Sequence, residues 1–269
     1  RCEEACTRAT LDEAVAIDDV KRFIAQKDLD SKTRYIPKKV IPSNRGEFKN
    51  KIAIIGAGPA GLSCAYYLAL TGYRPIVFEK NEKPGGMLTY GIPSYKLEKD
   101  VVEAEIDIIR TLGVEIKCGV EVGKDITLDE LRKDGYEAFY IAIGCQGSRK
   151  SGVDGEDADG VMSAVDILHE IAENHDLDLK GNKTVVIGGG NVAVDVARST
   201  KRCGADVLGM FCLESREEMP ASEEEIFETE DEGIQINNGW GVKEILAENG
   251  KVTCLLYTSP SPRDGATSR

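Results

Sequence analysis

The chain has 269 residues, of which 41% are hydrophobic and 30% are charged, and its net charge is -13 at pH 7. This composition is typical of a soluble globular protein with two modest domains, and the acidic balance argues against binding to nucleic acid or anionic membranes. We find no signal peptide and no apolar run of the roughly 18 residues that a membrane helix needs, so we expect no membrane insertion and a cytoplasmic location.

The chain opens as RCEEACTR, which places Cys2 and Cys6 four residues apart. Two such thiolates on one helical face could ligate a metal or an iron–sulfur cluster, but a cluster needs about four ligands. Residues 1 to about 30 are predicted to form short helices. The polar, proline-containing residues 31–49 are predicted to form an extended connector.

The first nucleotide motif is KIAIIGAGPAGLSCAYYL, which begins at Lys51. An apolar strand over 52–55 leads into GxGxxG spacing, and a helix follows over 62–70. The glycines allow a tight turn, a close approach to a pyrophosphate, and close packing of helix on strand, with the pyrophosphate at the helix N-terminus. A second strand over 74–78 ends at Glu79, whose carboxylate can meet ribose hydroxyls. The predicted loop consists of Gly56, Gly58 and Gly61.

The second motif, KTVVIGGGNVAVDVARS, begins at Lys183, about 130 residues later. It predicts a strand over 185–187, a helix over 192–200 and a strand from about 206 to 213 that runs into Glu214. The loop consists of Gly188, Gly190 and Ala193, with Ala in place of the third glycine. Two such loops in one chain indicate two cofactors that bind face to face.

Four elements are predicted between the two motifs: a helix over 97–112, a strand over 114–118, a short helix over 127–133 and an apolar strand over 138–144.

Other candidate sites are weaker. The eight cysteines form no disulfide framework and indicate a reducing compartment. Cys145 could lie near a cofactor, but a packing role is favoured. His169 and His175 form no zinc signature. The acidic stretch from Glu223 is interpreted as a solvated helix face rather than a metal site.

Five segments occur in the order GAGPAGLSCAYYL, EKNEKPGGMLTYGIPSYKLEK, AFYIAIG, VVIGGGNVAVDVAR and SREEMPASEEEI. Together they resemble the small-subunit family of glutamate synthase, whose FAD-dependent, pyridine-nucleotide-linked module also occurs in larger electron-transfer enzymes. The resemblance runs from about Arg1 to Lys251. It implies an α/β fold of two Rossmann-like dinucleotide-binding domains, with the NAD(P) domain inserted in the FAD domain, preceded by a short helical segment of the iron–sulfur type.

The resemblance also implies the domain boundaries. We expect a partial helical iron–sulfur domain and linker over 1–47, the first part of the FAD-binding domain over 48–150, and the NAD(P)-binding domain over 151–253. CEEAC resembles the last two ligands of one cluster, so Cys2 and Cys6 would form an incomplete set. The Ser/Pro-rich residues 254–269 resemble a translated cloning junction, so we expect a non-native tail on an internal fragment of a longer protein.

The family's binding residues carry over to matching positions. The resemblance implies that the FAD pyrophosphate is held by Gly56, Gly58, Pro59, Ala60 and Gly61, and the adenosine ribose by Glu79. It implies that the rest of the flavin cofactor is approached by Gly85, Gly86 and Leu88, and that Tyr90, Gly91 and Pro93 lie near the flavin ring. Val122 would meet the adenine through its backbone. The nicotinamide dinucleotide would be held by Gly188, Gly190, Asn191, Val192 and Ala193.

The choice of dinucleotide depends on residues just before SREEMPA. Relatives that use NADP commonly have arginines there, which can pair with the 2′-phosphate. This chain has Leu213 and Glu214 instead, and a carboxylate accepts hydrogen bonds from a ribose diol but repels a phosphate. NAD(H) is therefore favoured over NADP(H), although Arg216 lies close enough to weaken the inference.

The implied activity is hydride transfer between NAD(P)H and FAD, followed by release of electrons to iron–sulfur clusters of a partner. The partner would be a larger electron-transfer or amidotransferase subunit or a ferredoxin. We assign no catalytic side chain, because the cofactors supply the chemistry. A disulfide reductase is disfavoured, because no cysteine pair follows the PGG loop. The alternative function is a non-catalytic dinucleotide-binding scaffold or redox-sensor subunit.

Overall fold

A computed structural model describes residues 2–41, 47–148, 150–174 and 177–258 of the chain. Internal contacts divide the chain into two compact units, and each unit contains one of the two glycine motifs. The first unit comprises the described residues up to Gly86 and Glu98–Ile143. The second comprises Met87–Leu97 and the described residues from Gly144 onward.

The helices are, in chain order, α1 (Ile17–Leu29), α2 (Pro59–Leu70), α3 (Met87–Tyr90), α4 (Lys99–Thr111), α5 (Leu128–Lys133), α6 (Ala164–Glu173), α7 (Asn191–Arg202) and α8 (Glu223–Asp231). The strands are β1 (Lys51–Ile55), β2 (Ile76–Phe78), β3 (Glu115–Lys117), β4 (Tyr136–Ile141), β5 (Lys183–Ile187), β6 (Asp206–Cys212), β7 (Ile236–Asn238), β8 (Gly241–Glu248) and β9 (Lys251–Thr258).

The first unit is built on a parallel sheet with the strand order β3-β2-β1-β4. In β1, Ile52, Ala53, Ile54 and Ile55 are all buried. A strand with no polar face is typical of a parallel sheet that is covered on both sides. Helix α2 connects β1 to β2, and its first residue is Pro59, which suits the first helical turn because its missing N–H has no intrahelical partner there.

The second unit repeats this beginning with the parallel strand order β5-β6-β7. Helix α7 connects β5 to β6, as α2 connects β1 to β2. The core of the unit contains the fully buried Val194, Ala197 and Met210. Two units with parallel sheets and the same strand–helix–strand beginning confirm the predicted α/β fold with Rossmann-like domains. The insertion of one domain in the other stays a prediction.

An antiparallel hairpin, β8–β9, follows in the second unit. Its turn contains Asn249 and Gly250 at φ values of 53° and 80°, as a two-residue hairpin turn requires. Sequence analysis missed this hairpin. Residues 254–258, which belong to the expected non-native tail, form the second half of β9 and pair with β8. Residues 259–269 of the predicted tail lie outside the described residues.

The segment Met87–Leu97, which we call the bridging segment, also differs from the expected domain boundaries. It follows the glycine pair of PGGMLTYGIP, and the sequence-based boundaries place it in the first domain. Its contacts instead group it with the second unit. Tyr90 is buried and stacks on His169 of α6, with ring centroids 4.5 Å apart and an interplanar angle of 15°.

The N-terminal residues form a single 3-10 turn, Thr7–Thr10, followed by α1. No residue of α1 is buried. Arg34 lies after α1 and forms ion pairs with Asp28 and with Glu105 of α4, both at 2.6 Å. This contact ties the connector to the first unit.

Two candidate nucleotide sites

The first glycine loop has the geometry that the motif predicts. Gly56 adopts a φ of +104°, and a Cβ added there would lie 2.4 Å from the carbonyl oxygen of Ala142. A Cβ added at Gly61 would lie 1.9 Å from the carbonyl oxygen of Gly56. Only glycine fits at either position. In contrast, a Cβ at Gly58 would meet only the Cα of Gly86, at 3.9 Å, so the backbone is accessible where a pyrophosphate would approach.

The N-terminus of α2 provides the anion-binding end of this loop. Gly58 is the N-cap, and Pro59, Ala60 and Gly61 form the first turn. Unpaired N–H groups and the helix dipole favour a negative charge there. Pro59 and Ala60 are exposed, so this turn is open to a ligand.

Glu79 follows β2 directly and is only 5% exposed. Its carboxylate accepts hydrogen bonds from the backbone N–H of Ala57 at 2.7 Å and of Asn81 at 2.9 Å. Glu79 therefore binds the backbone of the glycine loop. Sequence analysis missed Ala57, the fully buried residue inside the motif whose N–H makes this contact. The sequence signal for Ala57 was a small residue between Gly56 and Gly58 of the motif.

Gly85 and Gly86 pack directly on this loop. The N–H of Gly85 donates to the carbonyl of Ala57 at 2.8 Å, and a Cβ added at Gly86 would lie 2.8 Å from the Cα of Gly58. The glycine pair thus lies beside the predicted pyrophosphate position. Val122 packs on the small core cluster that contains Phe78. Leu88 is half-buried in α3 and belongs to the second unit.

The second glycine loop repeats the geometry of the first with one substitution. Gly188 adopts a φ of +128°, and its N–H donates to the carbonyl of Phe211 at 2.9 Å. A Cβ added at Gly188 would lie 3.4 Å from the Cβ of Ala193, so alanine is accommodated at the third position. Gly190 is the N-cap of α7, and Asn191 and Val192 are exposed in the first turn.

Glu214 lies beneath the middle of this loop. A Cβ added at Gly189 would meet Cys212 at 3.0 Å and the Glu214 carboxylate at 3.2 Å, so a larger residue there would require these side chains to shift. The backbone carbonyl of Glu214 accepts hydrogen bonds from the Asn238 side chain and the Gly239 N–H, both at 3.2 Å. These bonds hold the Glu214 backbone just after β6, and its carboxylate lies beside the loop. Burial raises the pKa of the neighbouring Cys212 thiol.

A short segment after Glu214 covers the same loop and was not predicted as part of the site. The N–H of Ala221 donates to the carbonyl of Gly189 at 3.1 Å, and the N–H of Ser222 donates to the Asn191 side-chain oxygen at 2.9 Å. Ser222 is also the N-cap of α8. The N-termini of α7 and α8 therefore converge at the second loop. The Ser-x-x-Glu pattern before the acidic run was the signal for this cap.

The acidic helix α8 is solvated in part, as predicted, because Glu223, Glu224, Glu230 and Asp231 are exposed, but another face of the helix is paired with arginines. Arg198 of α7, with a side chain only 6% exposed, ion-pairs with three carboxylates: Glu225, Glu228 and Glu232. Glu232 also pairs with Arg202 at 2.7 Å. Although burial alone would lower the pKa of Arg198, hydrogen bonds with Glu232 and Glu228 raise it. This face of α8 is therefore paired with arginines of α7.

The remaining candidates hold no assembled site. Cys2 is exposed and Cys6 is half-buried. A hydrogen bond from the backbone N–H of Val15 lowers the pKa of the Cys6 thiol. Within the described ranges, no group of three or more His, Cys, Asp or Glu side chains could hold a metal ion. Cys145 is exposed, so the favoured packing role is wrong. His175 lies outside the described residues. No helix in the described part of the chain is both long and apolar enough to span a membrane.

Several known proteins are similar to this chain in sequence or in fold. The family model described as pyridine nucleotide-disulphide oxidoreductase matches residues 50–261. The beta subunit of NADP(+)-dependent formate dehydrogenase from Moorella thermoacetica is 38% identical over 291 residues, covering all of this chain and 41% of that protein. The glutamate synthase [NADPH] small chain of Escherichia coli K12 is 35% identical over 267 residues, covering 94% of this chain and 54% of that protein.

The chain therefore spans about half the length of these curated relatives. Among solved structures, a variant of FprA from Mycobacterium tuberculosis has a TM-score of 0.65 at 19% identity, covering 81% of this chain and 66% of that one. At this identity the similarity supports the fold alone. The chain belongs to the pyridine nucleotide-disulphide oxidoreductase family, and its sequence is similar to that of the glutamate synthase small chain.

Proposed function

We propose that the first loop holds FAD, that the second holds NAD(H), and that a hydride passes between them. The supporting observation is that each unit presents a glycine loop at a helix N-terminus, with a glutamate at the end of the following strand. A flavin can accept two electrons as a hydride and release them singly, which suits transfer to iron–sulfur clusters. The side chains of this chain would bind and orient the cofactors.

The residues of the first site fit a flavin dinucleotide. Gly58 leaves its backbone open to a pyrophosphate, while Pro59, Ala60 and Gly61 direct the start of α2 at it. Glu79 is fixed by the Ala57 N–H and would accept hydrogen bonds from ribose hydroxyls. The rest of the cofactor, beyond the pyrophosphate and the ribose, would be approached by Gly85, Gly86 and Leu88. We retain Val122 as a backbone contact to the adenine.

The residues of the second site fit a nicotinamide dinucleotide. Gly188, Gly190, Asn191, Val192 and Ala193 would hold its pyrophosphate at the start of α7. The Glu214 carboxylate beside the loop favours NAD(H), because it would accept from a free ribose diol and repel a 2′-phosphate. The Moorella and E. coli relatives are named for NADP(+) and NADPH. Arg216 is paired with Glu223 at 3.4 Å, which reduces its capacity to bind a phosphate.

Electrons would leave the flavin for a partner. We infer a cytoplasmic module in which Cys2 and Cys6 contribute two ligands to an iron–sulfur cluster, completed by cysteines elsewhere in the full-length protein. The acceptor would be a ferredoxin or a larger electron-transfer or amidotransferase subunit, because both relatives are named as subunits or chains of larger enzymes.

An absorbance titration of the purified native-length protein tests the proposal. We expect a flavin band that bleaches when NADH is added without oxygen, and weaker bleaching by NADPH. Bound NADH without bleaching would favour the scaffold or redox-sensor alternative. Purification without flavin, combined with no uptake of added FAD, would contradict the first site.

A further inference from the structure

Lys96, at the end of the bridging segment, forms ion pairs with both nucleotide-site helices. Its ammonium contacts the carboxylates of Asp195 on α7 and Glu225 on α8. The three side chains are 20%, 14% and 19% exposed, so solvent screens their charges only partly. All three residues belong to the second unit, so Lys96 is a fixed part of its charge distribution.

The two carboxylates lie close beneath the second glycine loop. Asp195 is four residues into α7 from Asn191, and Glu225 is three residues into α8 from Ser222. At 1.5 Å per residue, Asp195 lies about 6 Å and Glu225 about 4.5 Å along its helix from the end that the Ser222–Asn191 hydrogen bond joins. Two negative charges therefore lie just behind the converging N-termini of α7 and α8.

Negative charge near a helix N-terminus stabilises the helix dipole, but it opposes an incoming anion. We propose that Lys96 is a positioning residue for the dinucleotide: by neutralising Asp195 and Glu225, it keeps the N-termini of α7 and α8 attractive to a pyrophosphate. This inference rests on the proposed second site. It assigns a role to the PGGMLTYGIPSYK segment at the nicotinamide dinucleotide site, although the family resemblance places that segment at the flavin.

A purely structural role for Lys96 predicts a different result. If the ion pair only anchors the bridging segment, then Lys96→Gln and Asp195→Asn break the same contact and should weaken dinucleotide binding equally. If Lys96 neutralises charge, the two substitutions act in opposite directions. Lys96→Gln removes the ion-pair partner of Asp195 and leaves Glu225 with Arg198, whereas Asp195→Asn removes one of the two negative charges. The double variant should then recover most of the affinity that Lys96→Gln loses.

The experiment titrates the whole chain with NADH and follows the fluorescence of Trp240, its only tryptophan. The backbone N–H of Trp240 donates to the carbonyl of Cys212 at 2.9 Å, and Cys212 lies against the second loop, so we expect the indole fluorescence to report on the site. We expect NADH to bind Lys96→Gln about tenfold more weakly, Lys96→Arg within about twofold of wild type, and Asp195→Asn at least as tightly as wild type; tenfold is about 1.4 kcal/mol.

Equal weakening by Lys96→Gln and Asp195→Asn, or no change in Lys96→Gln, would overturn the role of Lys96. Circular dichroism checks that each variant is folded. If Lys96→Gln does not fold, Asp195→Asn and Glu225→Gln decide the question, because neither should weaken NADH binding. A wild-type protein that binds no NADH would contradict the proposed second site itself, and the role of Lys96 would fall with it.

Discussion

The two units contain the same nucleotide motif, but different interactions hold its parts together. In the first unit the loop is held by one buried carboxylate, that of Glu79, which accepts from the Ala57 N–H, and by close backbone packing of Gly86 on Gly58. In the second unit the start of a further helix lies against the loop, through the hydrogen bond from the Ser222 N–H to the Asn191 side chain. The same motif can therefore be held by a buried carboxylate with close backbone packing, or by polar contacts with a second helix N-terminus.

The largest expected effect concerns the third position of the two motifs. Gly61→Ala should lower the free energy of unfolding by about 3 kcal/mol, because its Cβ would overlap the Gly56 carbonyl. The matched change Ala193→Gly should cost at most about 1 kcal/mol, the helix-propensity difference. Urea denaturation followed by circular dichroism measures both. Similar losses would mean that the two loops pack alike.

The next effect concerns the charged network of the second unit. Arg198→Met should lower the free energy of unfolding by about 2 kcal/mol, because it removes one ion-pair partner from each of Glu225, Glu228 and Glu232, although their partial exposure reduces the cost. Arg202→Met is the matched control, because Arg202 is 41% exposed and should contribute less than about 1 kcal/mol. The urea transition of Trp240 fluorescence measures both. Equal effects would contradict a buried role for Arg198.

The same network should make stability depend on pH. Burial alone would raise the pKa of Glu232, but hydrogen bonds from Arg202 and Arg198 outweigh it and lower the pKa. A lowered folded-state pKa gives stabilisation that is complete above the unfolded pKa and is lost as pH falls through the folded pKa. Stability should therefore decrease from about pH 5 downward, and Arg198→Met should flatten this dependence. A profile unchanged by Arg198→Met would show that other carboxylates dominate.

A smaller contrast is expected between the two strand-end glutamates. Glu79→Gln should cost about 2 kcal/mol, because a buried carboxylate with two backbone donors is replaced by a neutral amide. Glu214→Gln should change stability by no more than about 0.5 kcal/mol. The denaturant midpoints of the two variants measure these losses of stability. A larger loss in Glu214→Gln than in Glu79→Gln would mean that Glu214 is the structural residue.

The smallest predicted effect is on cofactor choice. Glu214→Ala should improve binding of NADP+ relative to NAD+ by about tenfold, or about 1.4 kcal/mol, because a repelling carboxylate is removed. Glu217→Ala, an exposed neighbour, is the control and should leave the ratio unchanged. Calorimetric titration with both dinucleotides gives the ratio. An unchanged ratio in Glu214→Ala would remove the basis for NAD preference.

Local patterns allowed the sequence to predict the parallel cores and both loops. Position 61 must be glycine, because a Cβ there would lie 1.9 Å from the carbonyl oxygen of Gly56, and this requirement appears in the sequence as the fixed GxGxxG spacing. Glu79 is recognisable because it follows β2 directly. The hairpin at Asn249 and Gly250 also had a local signal, the Asn-Gly pair, which sequence analysis overlooked.

Other features depend on residues that are distant in sequence. Asp195 and Arg198 lie on one face of α7, but nothing near them in sequence indicates that their partners come from the bridging segment and from α8. Sequence analysis missed the paired face of α8 for the same reason. Glu225 and Glu228 resemble solvated side chains unless the arginines of α7 are known to lie opposite them.

The bridging segment bears on how this protein can be divided for study. A domain expressed from Gly144 onward would lack Tyr90, Tyr95 and Lys96. His169 would lose its stacking partner, and Arg198 and Arg202 would lose the ring of Tyr95, whose centroid lies 5.1 Å and 4.0 Å from them. Such a piece would leave the His169 ring and the two guanidinium groups without these aromatic partners. A faithful second domain needs these eleven upstream residues grafted back, for example through a flexible linker.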